Sequence, residues 1–119
     1  SKTFEVLGNG KQEKSYITNK MLIDGILQII KKTSKQKQNL FLFNIGNDDI
    51  IKVKDISKLF LKLNNSKKEI QYTGGKSGWK GDVYKMNLDI TKIKKAGWKP
   101  KQNSQKCIVD SINSLGKES

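Results

Sequence analysis

The chain of 119 residues contains no arginine and no histidine, and only one cysteine and one proline. Without histidine, imidazole acid–base catalysis, Ser/His/Asp and Cys/His triads and His-ligated metals lie outside the reach of its own residues. Without arginine, no two-pronged clamp on phosphate or guanine can form. Cys107 alone excludes an internal disulfide and any multi-thiolate zinc site, and a lone thiol fits a reducing, cytoplasmic setting. No apolar run approaches the ~18–20 residues of a membrane span. Phe4-Glu5-Val6-Leu7 is short and followed by a turn, unlike a leader peptide, so no membrane partner is expected.

What is present is charge. Lysine supplies all 24 basic residues against 11 acidic ones, a net charge of +13, and hydrophobic residues make up 34%. That fraction is below the roughly 45–50% usual for globular chains. The apolar residues nevertheless fall in periodic blocks, which predicts one folded domain over residues 1–119 with a small core and a charged surface. Lysine clusters attract phosphate by counterion release. The abundance of lysine, asparagine and isoleucine along the whole chain equally fits a coding bias, because a selected nucleic-acid patch is local and mixes lysine with arginine.

Residues 4–7 read as a short strand. Gly8-Asn9-Gly10 is a turn signal, and Lys14-Ser15-Tyr16-Ile17 is extended. Thr18 or Asn19 can cap a helix over 20–32, where Leu22, Ile23, Ile26, Leu27 and Ile30 form one apolar stripe. The run Leu40-Phe41-Leu42-Phe43-Asn44-Ile45 predicts a buried strand. A helix follows over 53–63 with Ile56, Leu59, Phe60 and Leu63 on one face, then a strand over 69–72. Strand, helix and strand at this spacing predict a βαβ unit with a parallel pair. Beyond a glycine-rich loop over 74–82, residues 83–88 can be extended. Asp89 caps a short helix over 90–95 that ends at Gly97. Ser104 caps a last helix to 115, with Ile108, Val109, Ile112 and Leu115 inward, and 116–119 form a frayed tail. The fold class is therefore α/β, an α+β-like arrangement of a small sheet and about four helices.

Few motifs carry chemistry. Tyr16 and Lys20 match a Tyr-x-x-x-Lys spacing, in which a lysine one helical turn away lowers a tyrosine pKa for proton transfer to a sugar hydroxyl, but they straddle a strand end and a helix cap rather than lying within one helix. Gly75-Lys76-Ser77 is a fragment of a phosphate loop, but Ile70 stands where its upstream glycine belongs. The loop still combines glycines with Trp79 and Asp82, which suits either a tightly turned structural loop or backbone approach to a ligand with Trp79 stacking. Lys11 and Lys14 flank the first turn, where an ammonium acts as a point charge on phosphate or is simply solvated. Cys107, lacking a local base, reads as a buried small residue. Asp48-Asp49 is the one adjacent carboxylate pair and makes no metal cage.

The ordered set Gly8-Asn9-Gly10-Lys11-Gln12-Glu13-Lys14-Ser15-Tyr16-Ile17, Phe43-Asn44-Ile45-Gly46-Asn47, Tyr72-Thr73-Gly74-Gly75, Gly78-Trp79-Lys80-Gly81-Asp82-Val83, Asp89-Ile90-Thr91-Lys92 and Gly97-Trp98-Lys99-Pro100 resembles the C-terminal part of nucleotide-sugar epimerases and dehydratases. These belong to the extended branch of the short-chain dehydrogenase/reductases, and the UDP-glucose 4-epimerases are the nearest in character. The resemblance covers about residues 4–115. It implies a two-lobed parent whose N-terminal Rossmann lobe carries NAD and the catalytic residues, and whose C-terminal lobe binds the nucleoside diphosphate sugar. No Gly-x-x-Gly-x-x-Gly follows a first strand here, so no NAD site and no catalytic residue are assigned to this chain.

By the same resemblance, Lys14 stands where an arginine contacts the substrate diphosphate, and Asp82 where an aspartate lies near the ribose. Lysine keeps the charge and loses the fork. The arginine expected shortly before Gly81-Asp82 is missing, with Ser77 and Trp79 in its candidate places, and Met21 stands where an aspartate is usual. The expectation is a substrate-binding lobe, not catalytic alone, using Gly10, Lys14, Trp79 and Asp82, with the missing Rossmann lobe as a further partner. The alternative is a stand-alone basic module for nucleic acid or an acidic partner, motivated by the +13 charge and by Trp79, Tyr84 and Trp98 among the lysines.

Overall fold

A computed structural model describes residues 3–38, 40–76, 78, 80–86 and 88–118, with side chains described as far as 115. Among the described residues, four strands and four helices follow one another along the chain. They are β1 (Thr3–Val6), β2 (Glu13–Lys14), α1 (Asn19–Thr33), β3 (Ile51–Lys52), α2 (Val53–Leu63), β4 (Glu69–Tyr72), α3 (Thr91–Lys95) and α4 (Ser104–Glu118). The α/β class, the four helices and the parallel pair match expectation.

The partner in that parallel pair differs. β4 lies beside β1, in register from Thr3↔Glu69 to Val6↔Tyr72, and β2 pairs antiparallel with β3. Residues 40–45, expected as a buried strand beside β4, join no ladder among the described residues. Leu40 and Leu42 are 75% and 72% exposed. The segment is fastened by side chains instead. Lys92 donates to the Leu42 carbonyl at 2.7 Å and lies over the Phe43 ring, while the Asn44 amide donates to the Asp89 carbonyl at 3.1 Å.

Helix α1 shows why its apolar stripe misleads. Thr18 caps it, its hydroxyl accepting from the Met21 N–H at 3.1 Å. The buried side is Met21 and Gly25, which meet Trp98, with Ile29 packed at the edge. The expected stripe of Leu22, Ile23, Ile26, Leu27 and Ile30 lies on the outer side, 37–59% exposed. The core is accordingly small: Met21, Ile90, Ile93, Trp98 and Cys107, bordered by Ile17, Ile29, Phe43 and Ile45.

Other faces are turned similarly. On α2 the buried residues are Ser57 and Leu61, while Phe60 packs on Phe4 and stays 41% exposed, and Leu63 is 37% exposed. On α4, Cys107 and Ile108 are buried and Leu115 is exposed. The helix runs on to Glu118, past the end expected at 115. Its cap is Asn103, whose side chain accepts the Lys106 N–H at 2.8 Å. The Ser104 hydroxyl is occupied elsewhere: it donates to Asp49 at 2.6 Å and accepts the Tyr16 N–H at 3.0 Å. Asn47 completes this junction by donating to the carbonyls of Tyr16 and Gln102. Asp89 sits one residue before the α3 cap and binds the Thr91 N–H and hydroxyl.

Candidate functional site

The turn after β1 and the loop after β4 are neighbours because their strands are paired. The ladder continues into them: the Thr73 N–H donates to the Val6 carbonyl at 3.0 Å, the Gly74 N–H to Gly8 at 2.8 Å, and the Gly8 N–H to the Thr73 hydroxyl at 2.7 Å. The first turn then descends into β2, which carries Lys14 toward the glycine-rich loop.

There Lys14 meets Asp82. The ammonium lies 2.5 Å from Asp82 Oδ1 and also donates to the Val83 carbonyl at 3.1 Å. The Asp82 side chain is 4% exposed and that of Lys14 is 24% exposed. The second oxygen of Asp82 accepts the Gly78 N–H at 3.1 Å and the Gln12 amide at 3.5 Å. The hydrogen bond from Lys14, then that from Gly78, hold the Asp82 carboxyl below its usual range against the opposing effect of burial. In the same loop, the Lys76 ammonium lies 5.9 Å from the centre of the Tyr84 ring.

Gly10 belongs to the same turn but contacts other groups. Its carbonyl accepts the Lys54 N–H at the start of α2 at 2.8 Å, its φ is +78°, and a Cβ built there would come within 2.4 Å of the Tyr72 ring. Only glycine fits so close to that ring at that φ. Trp79 and Ser77 lie outside the described residues. Of the four candidate residues, then, the structure joins Lys14 and Asp82 directly and places Gly10 on the connecting turn.

Gln12 is the site residue that sequence reasoning passes over. It is 2% exposed, and its amide nitrogen ties the Leu7 carbonyl (3.0 Å) to Asp82. Its Oε1 is buried without a hydrogen-bond partner among the described residues. A glutamine between two charged residues just before a two-residue strand reads as solvated; its contacts with Leu7 and with Asp82, 70 residues on, go with its burial.

Other chemistry finds no footing. Burial raises the Cys107 thiol above its ordinary range, so the thiolate is disfavoured. Tyr16 precedes α1 while Lys20 lies within it. Among the described residues no group of three acids or thiols could hold a metal, and no helix is long and apolar enough to cross a membrane.

No family model matches the chain. It is 28% identical over 98 residues to GDP-mannose 3,5-epimerase 1 of Oryza sativa subsp. japonica, a match covering 82% of this chain and 24% of that protein. A solved UDP-galactose 4-epimerase superposes with a TM-score of 0.82 at 27% identity, over 98% of this chain and 35% of the other. UDP-glucose 4-epimerase of Thermotoga maritima, solved with UDP-glucose, gives 0.77 at 26% identity with the same coverage. A dTDP-glucose 4,6-dehydratase of Bacillus anthracis in complex with NAD shares the fold alone, with a TM-score of 0.73 at 16% identity over 98% of this chain and 35% of the other.

In fold and sequence together, the chain is similar to the C-terminal part of nucleotide-sugar epimerases, and it has the fold of that part. It spans about a quarter to a third of the length of those relatives.

Proposed function

We propose that this chain is the nucleotide-sugar-binding lobe of an NAD-dependent epimerase or dehydratase and is not catalytic by itself. The observation that carries the reading is the meeting of Lys14 and Asp82, 68 residues apart in sequence, at the mouth of a glycine-rich loop. A nucleoside diphosphate offers matching chemistry: its phosphates suit the Lys14 ammonium, which the buried Asp82 carboxylate holds in place. Lys14 is pre-placed by Asp82 and swings only its terminal ammonium to reach a phosphate. Backbone at Gly10 and the Trp79 side chain complete the proposed site.

NAD belongs to the rest of the parent. The turn after β1 leads into β2, so it lacks the strand–loop–helix cradle whose helix N-terminus holds a pyrophosphate. The described residues do not fit that cofactor. The Rossmann lobe of the parent would instead cover the outer face of α1 and pair with residues 40–45. Two features support this: the exposed stripe from Leu22 to Ile30, and a radius of gyration of 17.4 Å against about 13.5 Å for a compact domain of this length.

Calorimetric titration with UDP-glucose and UDP tests the site. Lys14→Ala is expected to weaken binding about tenfold at low salt, and Lys14→Arg to retain or tighten it by restoring the fork. Equal affinity of wild type and Lys14→Ala would overturn the reading.

A further inference from the structure

A wide, open groove lies away from Lys14 and Asp82, between α2 and β4. It holds about 690 Å³ and is lined by Lys54, Lys58, Leu61, Lys62, Ser66, Lys68, Ile70 and Tyr72. Four lysines and no carboxylate line it. Lys54, Lys58 and Lys62 follow one another at i, i+4 and i+8 on α2, which sets them in a row at ~6 Å intervals. Lys68 faces them from the approach to β4. Alternation along β4 puts Ile70 and Tyr72 on the groove side and Glu69 on the other. None of the four ammonium groups takes part in an ion pair found among the described residues, where the three pairs are Lys14–Asp82, Lys94–Asp48 and Lys106–Asp110. Tyr72 is 36% exposed and is braced from behind by Gly10.

We propose that this groove binds single-stranded nucleic acid, with successive phosphates along the lysine row and a base stacked on Tyr72. A regular row of cations beside an exposed aromatic is how sequence-tolerant single-strand binders work: the cations follow the backbone, and every base offers a π-face. One row of ammonium groups above an apolar floor of Leu61 and Ile70 suits one strand. A flexible acidic peptide would gain from the charges and nothing from the ring. The net charge of +13 is spread over the chain, and in this groove four lysines outside the ion pairs found among the described residues surround an aromatic.

The test is fluorescence anisotropy of a labelled oligo(dT) with the 119-residue chain across a salt series, with circular dichroism of every variant. Four phosphate contacts predict a slope of log affinity against log salt of about −3. Replacing Lys54, Lys58 and Lys62 by glutamine should cut affinity at least tenfold and bring the slope to about −1. A control replacing Lys31, Lys32 and Lys35, all exposed, makes the same change in net charge and should alter affinity less than twofold. Tyr72→Leu should weaken binding about tenfold with the slope unchanged. Equal losses in the two triple variants would mean diffuse attraction and overturn the proposal. So would Tyr72→Leu binding like wild type, or polyglutamate displacing the oligonucleotide at equal charge concentration, which would assign the groove to an acidic protein.

Discussion

Replacing Gly10 by alanine tests the packing that joins the site turn to β4. Gly10 has φ +78°, and the new methyl carbon would lie 2.4 Å from Tyr72 Cε1, where ordinary contact begins at 3.4 Å. The left-handed backbone disfavours alanine by ~1–2 kcal/mol, partly offset by ~0.4–1 kcal/mol from a less flexible unfolded chain. Pushing the ring back by the missing ångström adds ~1–3 kcal/mol of overpacking. The sum is about 3 kcal/mol, or roughly 10 °C in Tm for a domain of this size. Gly75 is the internal control, with φ +80° and nothing within 4 Å of its Cβ, so Gly75→Ala should cost about 1 kcal/mol or less. Urea denaturation of Gly10→Ala, Tyr72→Ala and the double variant should show a coupling of about 2 kcal/mol, because removing the ring removes the collision. If Gly10→Ala costs no more than Gly75→Ala in either background, the turn does not pack on Tyr72 as described.

Three further outcomes are expected. Ile93 is fully buried among Met21, Trp98 and Cys107, so Ile93→Ala should cost about 3 kcal/mol or more in urea denaturation; a loss under 1 kcal/mol would displace it from the core. The hydrogen bonds from Lys14 and Gly78 hold the Asp82 carboxyl below the ordinary carboxylate range, so its contribution is present above the unfolded carboxylate range and lost as pH falls through the lowered folded value. Wild type should therefore lose stability below about pH 4 more steeply than Asp82→Asn, and identical acid profiles would refute the Lys14–Asp82 coupling. Ile26→Lys with Leu27→Lys, on the outer face of α1, should leave thermal stability within about 1 kcal/mol and reduce self-association in sedimentation; unfolding of this variant would place the stripe in the core.

Local signals were legible wherever local chemistry decides. Thr18 as a cap, positive φ at Gly10 and Gly97, the strand at 69–72 and the extents of α1, α2 and α3 to within a residue follow from short-range rules. The apolar stripe of α1 was legible too, but which side of the helix meets this core was not, because periodicity reports a face and not its partner. Residues 40–45 carry a strand's composition without a ladder, since hydrogen-bonded partners are chosen in three dimensions. Within the site, Lys14 and Asp82 were singled out from motif order. Gln12 escaped, because its burial goes with a contact to Asp82, 70 residues away.

By itself the sequence determined what this chain cannot do and which elements it builds. The absence of histidine and arginine and the single cysteine bound its chemistry, and spacing set its helices and turns. Tertiary structure decided that β1 rather than 40–45 pairs with β4, and so brought the first turn against the glycine-rich loop and Lys14 to Asp82. The physical reason is range. Caps, turns and periodicity are settled within a few residues, whereas an ion pair between positions 14 and 82 exists only once a parallel ladder has closed the chain between them.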